Sequence, residues 1–527
     1  MVNIVQKYLG LNKFSHLNNE FENLYLSHPN YPSLFALTDT LDLLNVENVV
    51  AKVDKNQILE LPDVFLALIN SNNEEEIVLI SKQEKNIKVE TNKSKISLYT
   101  YEDFDEIWYG VVVAIEPNEN EIKKDAINNK SQKMNYIFVA LFLFAILSFF
   151  NFGIGFSYFP YLICSYFGIL ISYFIIQDKF GIENEIVSKI CKGFNTECDT
   201  VINSDDKYSN KYFNFADLPI IFFTTCFITL IFQPTQFYYV GLLSFLSIPV
   251  LIYSIYSQKF VIKKWCALCL IVSTLIVVQF AFFIFKFKNS IFSFHENPFF
   301  ISIFFLVTTV IWFSVKPFIE GKIKADSEIK KLTRFKRSFD VFNNLVKEVF
   351  SSSSFDNFDG ILIGKKEAKI QLTLFLSPSC SPCHDEFKNA YNLYLKFPER
   401  LKLNVFFNIN IENNDNPYQI VVKTLYQINS NDSQKAIEAL CDWHLNKIGL
   451  GKWMQKWKTE TISDWVDSKI QEQYSWCLQN ELNYTPVKIV NNKLFPKEYE
   501  TSELSYFFND INEEETSETP LVAETIY

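Results

Sequence analysis

Four stretches of this chain carry no charged residue: 134–177, 218–258, 265–285 and 297–315. A helix needs about 20 apolar residues to cross a bilayer. The first two stretches can each hold a pair of spans and the last two can hold one apiece. That predicts helix A over 134–153, B over 157–177, C over 217–234, D over 237–257, E from Trp265 and F ending near Val315, six in all. Aromatic residues make up 17% of the chain and phenylalanine alone supplies 53, more than a water-soluble core uses.

The remaining sequence divides into soluble parts on either side. Residues 1–120 mix a helical stretch, "NYPSLFALTDTLDLLNV", with four short strand patterns, "VENVVAKV", "DVFLALI", "EIVLISK" and "YGVVVAIE", an α+β domain. The opening residues lack the basic, apolar and small-residue order of a cleavable signal peptide. After the membrane region of 134–318, apolar residues from Ile329 to Leu345 recur at three and four, which predicts an amphipathic connector helix over 319–354. Residues 355–515 show a βαβ pattern, and an acidic tail closes the chain at 516–527. The net charge of −11 is scattered and heaviest in that tail, so it implies solvation and no nucleic-acid partner.

Six of the ten cysteines lie in three close pairs: Cys191 with Cys198, Cys266 with Cys269, and Cys380 with Cys383. Two predicted spans separate each pair from the next, so all three face the same side of the membrane, together with the N-terminal domain. Which side that is sets two arguments against each other. The shared side carries Lys123, Lys124, Lys130, Lys133 and eight basic residues from Lys316 to Arg337, whereas the opposite side has only Lys286 and Lys288. Charge bias therefore favours a cytoplasmic shared side. Dithiol oxidation is useful where disulfides persist, outside the reducing cytosol. We follow the chemistry and expect an inner-membrane protein whose cysteines and soluble domains face outward. The five histidines never cluster, so no metal site is expected.

In "SPSCSPC" a cysteine stands at a helix start, where the dipole and free amides stabilise a thiolate, so Cys380 is the expected nucleophile and Cys383 the resolving thiol. The stretch resembles the thioredoxin superfamily, and "NYTPVKIVNNKLFP" matches that family's second landmark. The resemblance implies a cis-proline at Thr485-Pro486 that holds substrate beside the attacking sulfur. "IQLTLFL" lacks the buried acid common in that family.

In "KKWCALCL" the two cysteines share a face of helix E, with Cys269 about 4.5 Å deeper than Cys266 by helical rise. The loop pair Cys191 and Cys198, a serine six residues on, two spans and then this motif resemble, in that order, the bacterial form of the vitamin K epoxide reductase family. The resemblance implies that Cys269 adjoins a quinone, menaquinone or ubiquinone, and that Cys266 exchanges with Cys198. It also implies that Cys191 is the shuttle partner and that Ser204 lies near the quinone pocket. The glycines usual after that serine are missing, and helix A is extra to the four-helix core. Cys164 and Cys226 fall inside spans and read as packing residues; Cys441 and Cys477 leave an extra disulfide open.

Residues 1–120 resemble the papain-like cysteine peptidase that trims double-glycine leaders in bacteriocin exporters. That chemistry needs a cysteine nucleophile and a histidine. No cysteine precedes Cys164 and Glu76 stands where the histidine belongs, so a pseudo-peptidase is expected, either a binding groove or a relic. Together these readings predict a membrane thiol:quinone oxidoreductase acting on exported thiol proteins. Two alternatives are outward delivery of reducing equivalents and a non-enzymatic peptide-binding accessory of an exporter.

Overall fold

The computed structural model describes the chain apart from 72–73, 93–95, 119–135, 137, 144–145, 147–157, 183–186, 188–189, 192–200, 203–213, 288–296, 350–358, 414, 460 and 519–527. Two compact units emerge. One gathers 1–89, 97–118 and 330–527, and the other holds 90–96 and 119–329.

The N-terminal domain is built from α1 (Val2–Leu11), α2 (Asn18–Leu26), α3 (Leu34–Leu43), β1 (Asn48–Lys52), β2 (Val64–Ser71), β3 (Glu74–Lys82), β4 (Ile87–Glu90), β5 (Ile96–Tyr99), α4 (Tyr101–Ile107) and β6 (Trp108–Ile115). The sheet order is β1-β6-β2-β3-β4-β5. The four expected strand patterns lie on β1, β2, β3 and β6; α1, α2, β4 and β5 had no strong signal in the sequence. Side chains alternate between two cores, as the pleat requires. Leu66, Leu79 and Val113 pack under α1, α2 and α3, while Phe65, Val78, Ile80 and Val112 pack against Phe104 of α4 and Trp108. Ser33 caps α3 by accepting from the amide of Ala36 at 3.0 Å.

The membrane unit comprises α5 (Phe159–Lys179), α6 (Asp217–Phe232), α7 (Phe237–Leu246), α8 (Ile248–Tyr256), α9 (Ala267–Phe287) and α10 (Phe299–Lys336). Among the described residues four helical segments are long and apolar enough to cross a membrane, Phe159–Lys179, Pro234–Ile262, Ala267–Lys286 and Phe299–Lys336. Asp217–Phe232, expected as span C, is apolar but shorter. Span A falls mostly outside the described residues.

Span D lies within the Pro234–Ile262 segment, with a one-residue interruption at Ser247 between α7 and α8, where Pro249 in the first turn of α8 offers no amide to the ladder. One expectation needs correction. Span F does not stop near Val315 to hand over to a separate connector. α10 runs on through Pro317 to Lys336, and a short α11 (Phe339–Leu345) follows.

Close packing in lipid relies on small residues and a few internal hydrogen bonds. A Cβ on Gly168 would lie 2.2 Å from the Phe223 ring, and one on Gly241 would lie 2.3 Å from Phe283, so these glycines let α5 meet α6 and α7 meet α9. Gln279 ties three helices together, donating to Ser165 Oγ at 3.1 Å and to the Tyr161 carbonyl at 3.3 Å while accepting from Ser244 Oγ at 3.1 Å. Cys164 and Cys226 are buried in this packing with free thiols. Asp217 and Lys316 form a buried ion pair at 2.6 Å, with Trp312 Nε1 donating to the other carboxylate oxygen at 3.1 Å.

The C-terminal domain contains β7 (Lys347–Glu348), β8 (Ile361–Ile363), β9 (Ile370–Leu376), α12 (Ser381–Lys396), β10 (Leu401–Phe407), a helical insert of α13 (Gln419–Asn431), α14 (Ser433–His444), α15 (Leu450–Trp457) and α16 (Asp464–Gln479), then β11 (Val487–Val490), β12 (Lys493–Leu494) and α17 (Phe508–Glu518). The sheet order is β7-β12-β11-β9-β10-β8; β9 and β10 run parallel across the α12 crossover, and β11 is antiparallel to β9. This domain and the N-terminal domain belong to one unit and touch. Arg334 donates to the Leu26 carbonyl at 2.7 Å and stacks over Tyr31, while Arg337 reaches Ser27 Oγ at 2.7 Å and Glu503 at 3.1 Å.

Candidate active site

The membrane dithiol is set by an unusual turn. α8 ends in a π-helical turn, Ser257–Ile262, and Lys263 adopts a left-handed conformation with φ 59° that swings the chain toward α9. Gln258 pins this segment twice: its carbonyl accepts from Lys264 N at 3.1 Å, and its side-chain Oε1 accepts from Cys266 N at 3.0 Å. Because α9 starts at Ala267, Cys266 caps the helix instead of lying within it, and its sulfur accepts from the amide of Cys269 at 3.3 Å. Sulfur at that position faces the free amides and positive dipole end of α9, an arrangement that favours a thiolate. Cys266 is fully buried at this cap position. Cys269 is half-buried one turn on.

Cys269 opens onto a cavity of about 370 Å³ lined by α6, α7, α8, α9 and α10. Its walls are apolar, with Phe222, Leu251, Val272 and Phe313 among them; Ser254, Ser257, Gln258, Ser273 and Thr309 supply the polar groups. Apolar walls with a few placed donors suit a lipid-soluble ring with carbonyl oxygens. The residues present therefore fit a quinone, and Ser254 and Gln258 are the side chains that would hold one, since the hydroxyls of Ser273 and Thr309 donate to the Cys269 and Phe305 carbonyls.

Val201 and Ile202, from the loop that carries the second pair, also line this cavity. Cys191 is buried and disulfide-bonded. Cys198 and Ser204 lie outside the described residues.

In the C-terminal domain β9 ends in a loop that delivers Cys380 to the N-cap of α12, and Cys383 sits fully buried one turn later. The Thr485-Pro486 bond is cis, and the Cys380 thiol donates to the Thr485 carbonyl at 3.5 Å, so the two landmarks of this domain meet. The Cys383 sulfur accepts from Ser377 N at 3.5 Å. Burial, reinforced by Cys380 beside it, pushes the Cys383 thiol up to about 12. The more accessible of the two sulfurs is therefore Cys380, and the buried Cys383 favours its protonated form.

The helical insert closes over this site. Trp443 Nε1 donates to the Pro378 carbonyl at 3.1 Å, and the His444 ring lies 4.8 Å from the His384 ring. His384 is partly covered, and His444 is fully buried with neither ring nitrogen hydrogen-bonded. Burial drives His444 down to about 3. Cys441 and Cys477 carry free thiols in two different hydrophobic cores, so the extra disulfide left open by the sequence is not formed.

Sequence reasoning missed Gln258 and His444. A signal existed for the first, since Gln258 is an amide at the very end of an uncharged run, eight residues before Cys266. None existed for His444, whose position depends on how the insert folds back.

No curated protein matches the chain. Solved structures that align with it include the catalytic domain of ScsC from Proteus mirabilis, at 14% identity over 31% of this chain and 96% of that one with a TM-score of 0.27. Oxidised BdbD from Bacillus subtilis aligns at 10% identity over 32% and 98% with a TM-score of 0.26, and the oxidoreductase NmDsbA1 from N. meningitidis at 13% over 29% and 90% with a TM-score of 0.22. At these scores the likenesses carry no part of the argument. The profile of the vitamin K epoxide reductase family matches residues 159–284, which span α5 to α9 and both membrane-unit cysteine pairs. Residues 159–284 therefore match the vitamin K epoxide reductase family, within a chain that has four helical segments long and apolar enough to cross a membrane among its described residues.

Proposed function

We propose that the protein is a thiol:quinone oxidoreductase of the inner membrane that makes disulfide bonds in exported proteins or peptides. The observation that carries this reading is Cys269 in the wall of an apolar cavity, one turn from a cysteine whose sulfur caps the same helix. Electrons pass from substrate thiols to Cys380 and Cys383, then to Cys191 and Cys198, then to Cys266 and Cys269. Each transfer is thiol–disulfide exchange: a thiolate attacks one sulfur, the other leaves as thiolate, and a mixed disulfide joins the partners in between. A bound quinone supplies the terminal oxidation, accepting two electrons and two protons as the Cys266–Cys269 bond closes. Thr485-Pro486 holds the substrate chain beside Cys380, and Ser204 belongs to the rim of the quinone site.

Six spans put all three pairs on the outward face, the side on which disulfides persist. The N-terminal domain, without nucleophile or histidine, serves as a papain-like scaffold that binds without cleaving. The test is to add menadione to purified, reduced protein and follow the thiols of Cys380 and Cys383. Oxidation that stops in a Cys269→Ala variant supports the reading, and oxidation that continues unchanged refutes it. Alkylation of Cys380 in intact cells with a membrane-impermeant reagent fixes the side, since labelling only after lysis would place it in the cytosol.

A further inference from the structure

We infer that Gln258 couples the two halves of the membrane reaction, its carbonyl oxygen positioning Cys266 and its amide nitrogen donating to a carbonyl oxygen of the quinone. The inference rests on the quinone reading above. Gln258 is only 2% exposed, and buried side-chain amides are retained where their hydrogen bonds matter. Its Oε1 is committed to Cys266 N at 3.0 Å, and its main-chain carbonyl to Lys264 N at 3.1 Å. Those two bonds fix the turn that makes Cys266 an N-cap. The Nε2 end has two hydrogens and is engaged by a single long contact, to Ser254 Oγ at 3.3 Å. Gln258, Ser254 and Cys269 all line the same cavity, so the residue that carries the underused donor shares that cavity with the cysteine that would be oxidised.

The chemistry needs a donor there. When the Cys266–Cys269 bond forms, two sulfurs lose two electrons and two protons; the quinone gains both pairs and leaves as hydroquinone. Negative charge builds on the ring oxygens before the protons arrive, and a preorganised N–H in a water-poor cavity stabilises it. Gln258 thereby joins the sulfur that is oxidised to the oxygen that receives charge, through one side chain.

The experiment uses the full chain in detergent micelles, with menadione as the quinone and two readouts other than turnover: equilibrium binding of menadione to the oxidised protein, and the glutathione equilibrium of the Cys266–Cys269 pair. Gln258→Leu should weaken menadione binding roughly tenfold and shift the thiol equilibrium, because both bonds are lost. Gln258→Glu keeps an oxygen for Cys266 N but presents no N–H, so it too should weaken binding by about tenfold while Cys266 keeps its cap. It also covers the case in which the leucine variant does not fold. Equal menadione affinity in the unaltered and Gln258→Glu proteins overturns the role of Gln258 and leaves the quinone reading standing. Failure of menadione to bind the unaltered protein overturns both.

Discussion

Replacing Lys316 by methionine should destabilise the membrane unit by about 3 kcal/mol, the lower end of the range for breaking a buried ion pair. The size follows from what stays behind. Asp217 is 1% exposed and keeps donors from Trp312 Nε1 and from Asn214 N, each at 3.1 Å, but loses the ammonium at 2.6 Å. A carboxylate with two remaining hydrogen bonds is penalised less than a bare one. The double variant Asp217→Asn/Lys316→Met removes both charges and retains an oxygen for Trp312, so it should recover most of the loss. Thermal unfolding of the full chain in detergent, in a background where Cys164 and Cys226 are the only cysteines kept, followed with a maleimide dye, reads the membrane unit directly, because both thiols are buried there. If Lys316→Met melts with the unaltered protein, or the double variant is no more stable than the single one, the pair does not hold α10 to α6 and the reasoning fails.

Gly168→Leu should separate α5 from α6, since even a Cβ would lie 2.2 Å from the Phe223 ring; a lower melting temperature that Phe223→Ala partly restores is the expected result. His444 is held near 3, far below its unfolded value of about 6.5, so the unfolded chain takes up a proton between those values and the folded chain does not. Stability of the C-terminal domain should therefore fall as pH drops below about 6.5, by about 2 kcal/mol at pH 5, and His444→Leu should remove that slope in urea titrations at pH 5 and 7.5. Glu503 runs the other way: burial alone would raise its carboxyl, but Lys336 and Arg337 hold it below the usual range. Its contribution is present above about pH 4.3 and lost as pH falls further, so Glu503→Gln should flatten the acid limb of unfolding. Burial, the largest cause of the raised Cys383 thiol, persists in a Cys380→Ser variant, so Cys383 there should react with iodoacetamide far more slowly at pH 7 than Cys380 does in a Cys383→Ser variant; equal rates would refute the assignment of outer and buried sulfurs.

Much of this architecture was legible because it rests on periodicities that burial enforces. Uncharged runs mark segments that lipid must accept, and the strands "DVFLALI" and "EIVLISK" alternate because each divides its side chains between two cores. Helix ends were harder. They depend on where backbone amides find partners, and those partners come from elsewhere in the chain. A one-residue interruption precedes Pro249 in span D, yet Pro317 does not interrupt α10, and nothing in either local sequence separates the two outcomes. "KKWCALCL" shows the consequence for chemistry. Spacing alone puts both cysteines on one helical face and makes the first the shallower. The helix in fact begins at Ala267, two residues later than expected, because Gln258, eight positions upstream of Cys266, takes its amide. That single bond converts Cys266 from a residue on a helix face into the cap of the helix, with its sulfur on the amide of Cys269. A pair spaced three apart could have been two packing thiols. The capped geometry sets the two sulfurs apart, one held at the positive end of the helix dipole and the other facing the cavity, and that asymmetry is what a relay between a protein thiol and a lipid-soluble acceptor requires.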